Sequence, residues 1–427
     1  MPSSAVPSSA QAASSALSRD ADFRRLWVGQ TASQLGEHAS LVVLPLIAVL
    51  TLHLDVGQVG ALRAVGQAPL LLLSLVIGAW VDRWRARNVM MLADLGRALV
   101  LTGVAAAALA GGLDLPALLV AAFVLGTASV FFDVAYQALL VRMLRRDRLL
   151  RGNSALEGSR SAAQIGGPAL GGALVSLPSA SIAAVSNGLL FALSLVSVSR
   201  IRHREPAPEH AGRASHVWRQ IREGIRFVAG DTSLRAVCLA SAAFQFCFAA
   251  VMTAYLIFLT GDLHLSGGAV GLVVAAVGPG ALAGSLLAAH LPGRFGYGVV
   301  LVSAAAIGNG AMLLVPVVRG TPAVTLPALV AINLVSGTFG QLVNVTVMAV
   351  RQAVTPDRMQ GRAAATITFA GMGLTPLGSL LGGFLAGELG LRTAILVAAA
   401  GTMVSPLVMI LSPLGRLGRE LPMPEDR

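Results

Sequence analysis

A group of ionisable and amide side chains lies inside an apolar stretch near the start of the chain. Gln30, Gln34, Glu37 and His38 fall within GQTASQLGEHASLVVLPLIAVL, residues 29–50. On a helix they form one stripe, because they are spaced by three or four residues. Glu37 would lie roughly 16 Å into a membrane span. A carboxylate facing lipid at that depth is costly, so we expect the stripe to face a central cavity, where Glu37 takes up and releases a proton.

A second acid occurs in another apolar stretch. Asp133 shares a helical face with Tyr136 and Gln137. We therefore expect Glu37 and Asp133 to be the proton-coupling residues. The alternative is that both acids only satisfy hydrogen bonds between helices, and the sequence leaves both possibilities open.

The other charges within apolar stretches have simpler interpretations. Asp94 and Arg97 are three residues apart, which predicts a structural ion pair on one helix, nearer the cytoplasm than Glu37. Arg63 is a lone cation, and we expect Asp133 or Glu37 to be its partner.

The second half of the chain carries amides and hydroxyls where the first half carries acids. We expect these groups to line a cavity that holds a small-molecule cargo, with no metal and no cofactor besides the proton gradient. The expected lining residues are Gln30, Gln34, His38, Arg63, Tyr136, Gln137, Gln245, Tyr255, Asn333, Gln341 and Asn344.

The elements that position these residues follow from composition. Of 427 residues, 55% are apolar and only 12% are charged, about half the charged fraction of a soluble protein. Apolar runs of about 20 residues recur along the chain and are long enough to cross a membrane as helices. The fold class is therefore an all-α membrane protein, and we count twelve transmembrane helices.

Arginine placement supports that count. All 31 basic residues are Arg; with the N-terminus inside, 26 fall in inner segments, two in outer connections and three within spans. This asymmetry predicts twelve spans with both termini cytoplasmic, and it explains the net charge of +11 without a nucleic-acid partner.

The two halves of the chain are similar to each other. VRMLRRDRLLRGNSALEGSRSAAQIGGPALGGAL (141–174) matches VRQAVTPDRMQGRAAATITFAGMGLTPLGSLLGGFL (350–385) in its Val-Arg, Asp-Arg, Pro and Gly-Gly positions. Duplication predicts two six-helix bundles that rock about a central site. The expected organisation is a disordered tail (1–20), an N-terminal bundle (21–200), a linker with an amphipathic helix (201–232), a C-terminal bundle (233–413) and a second tail (414–427).

Two motifs suggest how the bundles are gated. GAWVDRWRAR (78–87) follows the second span and resembles the Gly-x-x-x-Asp-Arg-x-x-x-Arg signature of the major facilitator superfamily. GGPALGG (166–172) resembles the antiporter motif of that superfamily's efflux branches. The resemblance implies a conformational gate formed by Gly78, Asp82, Arg83, Arg87, Gly167, Pro168, Gly171 and Gly172, and Arg142 is a candidate partner for Asp82.

The wider pattern is similar to the bacterial branch that exports drugs and siderophores, on FRRLWVGQTASQLGEHASLVVLPL (23–46), FFDVAYQALLVRML (131–144) and PLGSLLGGFLAG (376–387). The resemblance implies a monomeric proton antiporter of the bacterial cytoplasmic membrane that exports amphiphilic small molecules. A metabolite facilitator or importer is the alternative. An enzyme is not expected, because the chain lacks a nucleotide-binding loop, an HExxH pair and a nucleophile elbow.

Overall fold

The computed structural model describes residues 20–81, 84–144, 146–177, 179–203, 214–356 and 359–421. Six long helices form the N-terminal bundle. They are α1 (Ala21–Leu50), α2 (Val56–Val81), α3 (Ala86–Leu109), α4 (Leu115–Met143), α5 (Arg146–Val175) and α6 (Ala180–Ser199). The linker helix α7 (Ala214–Gly230) follows.

The C-terminal bundle uses more and shorter helices. Its elements are α8 (Thr232–Ile257), α9 (Gly267–Ala275), α10 (Val277–Ala288), α11 (Leu291–Phe295), α12 (Tyr297–Met312), α13 (Pro322–Val354), α14 (Gln360–Gly373), α15 (Thr375–Leu389), α16 (Leu391–Thr402) and α17 (Val404–Leu411). The helix α8 continues as a π-helical turn, Phe258–Asp262.

Polar caps mark where several helices begin. Asp20 accepts hydrogen bonds from the first turn of α1, Asp114 from α4 and Asp231 from α8. Each carboxylate satisfies amides that the helix leaves unpaired, and it places negative charge at the positive end of the helix dipole.

Three spans predicted as single helices each consist of two pieces. The breaks are at Ala276 between α9 and α10, at Leu374 between α14 and α15, and at Met403 between α16 and α17. A proline lies two or three residues beyond each break, at Pro279, Pro376 and Pro406. Proline lacks the amide for the helical hydrogen bond and clashes with the preceding turn, which explains the interruptions.

The span count agrees with the sequence except at one helix. Eleven segments of the described chain are long and apolar enough to cross a membrane. The helix α5 is not among them, because its first half is polar, yet it has 30 residues. It runs parallel to α1: Gly152 lies near Phe23, Gly167 near His38 and Gly171 near Ala39.

The helix pairings of the first half recur in the second. In the N-terminal bundle α1 packs on α5 and α6, α2 on α4, and α3 on α4 and α6. The corresponding pairs in the C-terminal bundle are α8 with α14–α17, α10 with α13, and α12 with α13 and α17. Two matching contacts join the bundles, α2 with α15 and α5 with α9.

The two ends of the helical body are packed differently. We call the end that carries Asp20, α7 and Leu421 the tail end, and the opposite end the far end. The hydrophobic clusters at the tail end each belong to a single bundle. Those toward the far end combine both bundles, with Leu46 of α1 packed in one cluster with Tyr255 and Phe258. The bundles are therefore joined at the far end.

Glycines allow the closest approach at that joint. A Cβ atom on Gly60 would lie 2.9 Å from the carbonyl oxygen of Ser379 and 3.0 Å from the Cα of Gly383. A Cβ atom on Gly172 would overlap the Cα of Gly271. We call these two crossings, α2 with α15 and α5 with α9, the far seam.

Candidate functional site

Three successive polar residues of α1 bond to two neighbouring helices. The Ser33 hydroxyl donates to Asp94 Oδ1 of α3 at 3.1 Å, and the Gln34 amide donates to Asp133 Oδ1 of α4 at 3.1 Å. Glu37 Oε2 lies 3.7 Å from a guanidinium nitrogen of Arg97. The helical repeat aligns these side chains on one side of α1, so α1, α3 and α4 meet through polar contacts in the membrane core.

Arg97 is the centre of this cluster. Its guanidinium is fully buried, 2.6 Å from Asp94 Oδ1, and it donates to Ser33 Oγ at 2.9 Å and to Ser129 Oγ at 3.4 Å. The rings of Phe132 and Phe191 flank it, with centroids 4.6 and 4.5 Å from its central carbon. Hydrogen bonds, an ion pair and cation–π contacts together compensate for burying the charge.

The predicted Asp94–Arg97 ion pair is present, but it is not separate from Glu37. Arg97 lies level with Glu37, and the two acids contact the same guanidinium from different helices. Sequence spacing showed only the contact within α3. The contact to Glu37 depends on how α1 packs against α3.

Asp133 and Glu37 belong to one electrostatic group. They repel each other, and both are attracted by Arg97 and by Arg160 of α5. Glu37 keeps 27% of its side chain exposed, whereas Arg97 has none exposed. Glu37 is therefore reachable by an entering molecule or proton, as are the partly exposed Asp133 and Arg160, whereas Arg97 is not. We call Glu37, Asp94, Arg97, Asp133 and Arg160 the charged cluster.

Arg63 does not have the partner that the sequence predicted. Glu37 contacts Arg97 and Asp133 accepts from Gln34, so neither acid is its partner. Within the described part of the chain no hydrogen bond or ion pair involves Arg63, and its Nε is enclosed without a partner.

The remaining polar residues of α1 and α4 occupy different surroundings. Gln30 is fully buried, and neither polar atom of its amide has a hydrogen-bond partner among the described residues. His38 lies against Gly167 of α5. Tyr136 is buried beside Phe132, with ring centroids 6.3 Å apart, and Gln137 is exposed.

Two residues expected to line the cargo cavity bond to each other instead. Asn333 donates to the Tyr255 hydroxyl at 2.6 Å and to the Leu329 carbonyl at 2.9 Å. Both side chains are buried among apolar residues at the far end. A buried amide requires partners, which explains the pairing. In the same bundle Gln245 and Gln341 are partly buried, and Asn344 is exposed.

The glycines of the predicted gate lie at helix crossings. Gly167 and Gly171 face His38 and Ala39 of α1. A Cβ atom on Gly167 would overlap the Cβ of His38, and one on Gly171 would lie 2.7 Å from the carbonyl oxygen of Ala39. Gly172 forms part of the far seam, and Pro168 lies within the continuous helix α5. The motif therefore connects the α1–α5 crossing to the joint between the bundles.

The loop motif is only partly described. Gly78 belongs to α2, while Asp82 and Arg83 lie outside the described residues, and with them the expected contact of Asp82 with Arg142. Arg142 is partly buried near the end of α4. Arg87 donates to the carbonyls of Val198 and Ser199. These carbonyls lie at the C-terminal end of α6, the negative end of the helix dipole, so a cation is favourable there.

The linker helix α7 docks on the C-terminal bundle. Glu223 accepts a hydrogen bond from Arg362 of α14, and Gly224 faces the Arg362 carbonyl and Thr366. Val228 is buried with residues of α8 and α14, while Ile225 is exposed.

Comparison with known proteins agrees with this architecture. The profile of a family described as transmembrane secretion effector matches residues 12–425. The multidrug efflux pump Tap of Mycobacterium tuberculosis is 26% identical over 395 residues, which cover 88% of this chain and 90% of that protein.

Solved structures show the same fold at low sequence identity. The nucleoside transporter NupG superposes with a TM-score of 0.72 at 14% identity, over 91% of this chain and 99% of that one. A bacterial homologue of the iron transporter ferroportin, solved in an inward-facing state, gives 0.72 at 15% identity, over 91% and 98%.

Proposed function

Because the chain belongs to the transmembrane secretion effector family of major facilitator transporters, we propose that it exports amphiphilic small molecules in exchange for protons. The protein is a multi-pass membrane transporter and not an enzyme. We propose three properties beyond the family: export as the direction of transport, amphiphilic molecules as the cargo and the proton as the coupling ion.

Export as the direction of transport is supported by the similarity to the Tap protein and by the conformation of the two bundles. The Tap protein is named as a multidrug efflux pump. In the present structure the far seam is closed, whereas the apolar clusters of the two bundles are separate at the tail end. The arginine asymmetry assigns the tail end to the cytoplasm, so this conformation receives cargo from inside the cell. We propose the bacterial cytoplasmic membrane as its location.

The observation that carries the coupling is the position of Glu37 beside Arg97. A proton on Glu37 removes its charge and with it the attraction to Arg97 across 3.7 Å. In a medium of low effective dielectric constant that attraction is worth several kcal/mol. Protonation therefore changes how strongly α1 is held to α3.

A path from this contact to the bundle joint runs through α5. His38, next to Glu37 in sequence, lies against Gly167, and Gly172 lies five residues further along the same helix against Gly271. A small rotation of α1 therefore displaces α5 at the point where α5 crosses α9. In this proposal the proton opens the far seam through that displacement.

The test measures transport in everted membrane vesicles, where cytoplasmic export becomes uptake. Fluorescent amphiphilic dyes are supplied with and without an imposed pH gradient, to vesicles containing the wild type, Glu37→Gln or Asp133→Asn. We expect gradient-driven accumulation by the wild type and its loss in both variants. The control is Glu388→Gln, which neutralises an exposed acid at the far end and should leave accumulation intact.

Two outcomes would contradict the proposal. Gradient-driven uptake that persists in Glu37→Gln would remove that residue from coupling. Uptake by the wild type that ignores the gradient, or that runs into right-side-out vesicles, would favour the alternative, a facilitator or importer of a metabolite.

A further inference from the structure

Arg63 lies on the side of α2 that faces α15 across the far seam. Gly60, three residues before it, contacts the backbone of Ser379 and Gly383. Gln67, four residues after it, accepts a hydrogen bond from the Ser379 hydroxyl at 3.4 Å. Residues at these spacings share one face of a helix, so Arg63 lies between two contacts that join the bundles.

This guanidinium differs from the two other arginines inside the N-terminal bundle. Arg97 has an acid, two hydroxyls and two aromatic rings around it. Arg160 is close enough to Asp133 and Glu37 to be stabilised by both. Arg63 has an enclosed Nε without an acceptor, and in the described ranges no carboxylate compensates its charge.

An uncompensated cation inside a membrane span is costly, and such residues mark ligand or ion pathways. Arg63 is seven residues into α2, or roughly 10 Å from its start at the far end. The charge of Arg63 therefore lacks a compensating anion. An anionic group on a larger apolar molecule would reach this depth and supply one.

We propose that Arg63 binds the carboxylate of an acidic amphiphile, at a subsite between α2 and α15. The inference rests on the proposed function, because it assumes that the protein carries amphiphiles. A guanidinium pairs with a carboxylate through two parallel hydrogen bonds. Gln67, one turn further along α2, supplies an amide beside the guanidinium. Cargo with a carboxylate is thereby selected over neutral or cationic molecules.

The subsite also lies where cargo can influence the conformational change. Gly60 and Gly383 must separate when the far seam opens, and Arg63 is one turn away from them. A carboxylate bound there compensates the guanidinium in the closed state and leaves with the cargo when the seam opens. The charge of Arg63 thus links the binding of cargo to whether the far seam is closed or open.

The test is equilibrium binding to the purified full-length protein in nanodiscs, without any gradient. The probes are decanoate, decyltrimethylammonium and decanol, which share an alkyl chain and differ in head group. The variants are Arg63→Gln, Arg63→Lys and, as a matched control, Arg319→Gln, which removes an exposed arginine at the far end.

We expect the wild type to prefer decanoate, and Arg63→Gln to bind decanoate about tenfold more weakly or worse, since a hydrogen bond to a charged group is worth more than 1.4 kcal/mol. Arg63→Lys should retain part of the preference, because it keeps the charge without the planar fork. Decanol binding should be equal in all proteins, which also verifies that each variant is folded.

The proposal is overturned if wild-type protein shows no preference for decanoate, or if Arg63→Gln weakens all three probes alike. The first comparison needs no variant and stands even if Arg63→Gln fails to fold. Because no gradient is present, a failure of proton coupling leaves this result unaffected. Conversely, a negative binding result with gradient-driven dye uptake removes only the carboxylate subsite.

Discussion

The amide of Gln34 donates to Asp133 across 3.1 Å and joins α1 to α4 inside the membrane. One turn further along α1, Glu37 is attracted to Arg97 of α3. The first helix of the bundle is therefore held by one hydrogen bond to an acid and one contact to a cation. The two contacts respond differently to protonation, because only the second loses its attraction when Glu37 becomes neutral.

Replacing Gln34 with Leu should leave Asp133 without its amide donor. A buried polar group that loses its partner costs about 1–3 kcal/mol, so we expect lower thermal stability together with reduced transport. Thermal unfolding in detergent measures the first effect. Gln352→Leu, which changes an exposed glutamine near the end of α13, is the control, and equal loss in both variants would contradict a specific role for the Gln34 contact.

Replacing Arg97 with Gln should be the most damaging single change in the charged cluster. It leaves Asp94 buried without a counter-ion, and breaking a buried pair in this way costs about 3–5 kcal/mol. The double variant Arg97→Gln, Asp94→Asn should recover part of the stability, because no charge is then left unpaired. If the double variant is as unstable as the single one, the Asp94–Arg97 pair is not the source of the loss.

A large side chain at Gly172 should hold the far seam open. Leu at this position would overlap Gly271, so the tail-open conformation becomes unfavourable and transport should fall at least about tenfold. The separation of the bundles at the far end is measured between spin labels on Gly112→Cys and Arg319→Cys, in a background that carries Cys238→Ser and Cys247→Ser. This distance should be larger in Gly172→Leu than in the parent protein. Gly310→Leu serves as control, because no atom lies within 4 Å of a Cβ built there. An unchanged separation in Gly172→Leu would contradict the assignment of the seam.

The docking of α7 should depend more on close packing than on its ion pair. Glu223 and Arg362 are each more than a third exposed, and such pairs contribute at most about 1 kcal/mol. Glu223→Gln should therefore change little, whereas Gly224→Leu clashes with Thr366 and the Arg362 carbonyl. Tryptic cleavage of α7 measures the difference, with Gly230→Leu as control. Faster cleavage in Glu223→Gln than in Gly224→Leu would reverse this ranking.

Much of the architecture could be predicted from the sequence, and the reasons are local. Apolar runs and the sequence similarity of the two halves predicted long helices in two groups, and the structure repeats the same helix pairings in each group. Sequence patterning did not reveal the breaks at Ala276, Leu374 and Met403, because prolines also occur inside continuous helices, as at Pro45, Pro69 and Pro168.

The site was harder to predict because it depends on contacts between helices. Spacing within α3 identified Asp94 with Arg97, but Glu37 joins them only through the packing of α1. Tyr255 and Asn333 were expected in the cavity as polar residues, and their pairing across 78 positions leaves no trace in either segment. Arg63 was correctly identified as a lone cation, while the choice of its partner required the positions of the acids.

The interrupted helices of the C-terminal bundle give the two halves different mechanical roles. In the part of the chain that the structure describes, the helices of the N-terminal bundle are unbroken and tied together by internal charges, so we expect this bundle to move as one stiff body. In the other bundle, a helix that is interrupted near its middle bends at less cost than a continuous one, so we expect these helices to bend at Ala276, Leu374 and Met403 when the far seam opens. Two halves that are similar in sequence and in helix pairing would thus differ in stiffness, one rigid and the other able to bend.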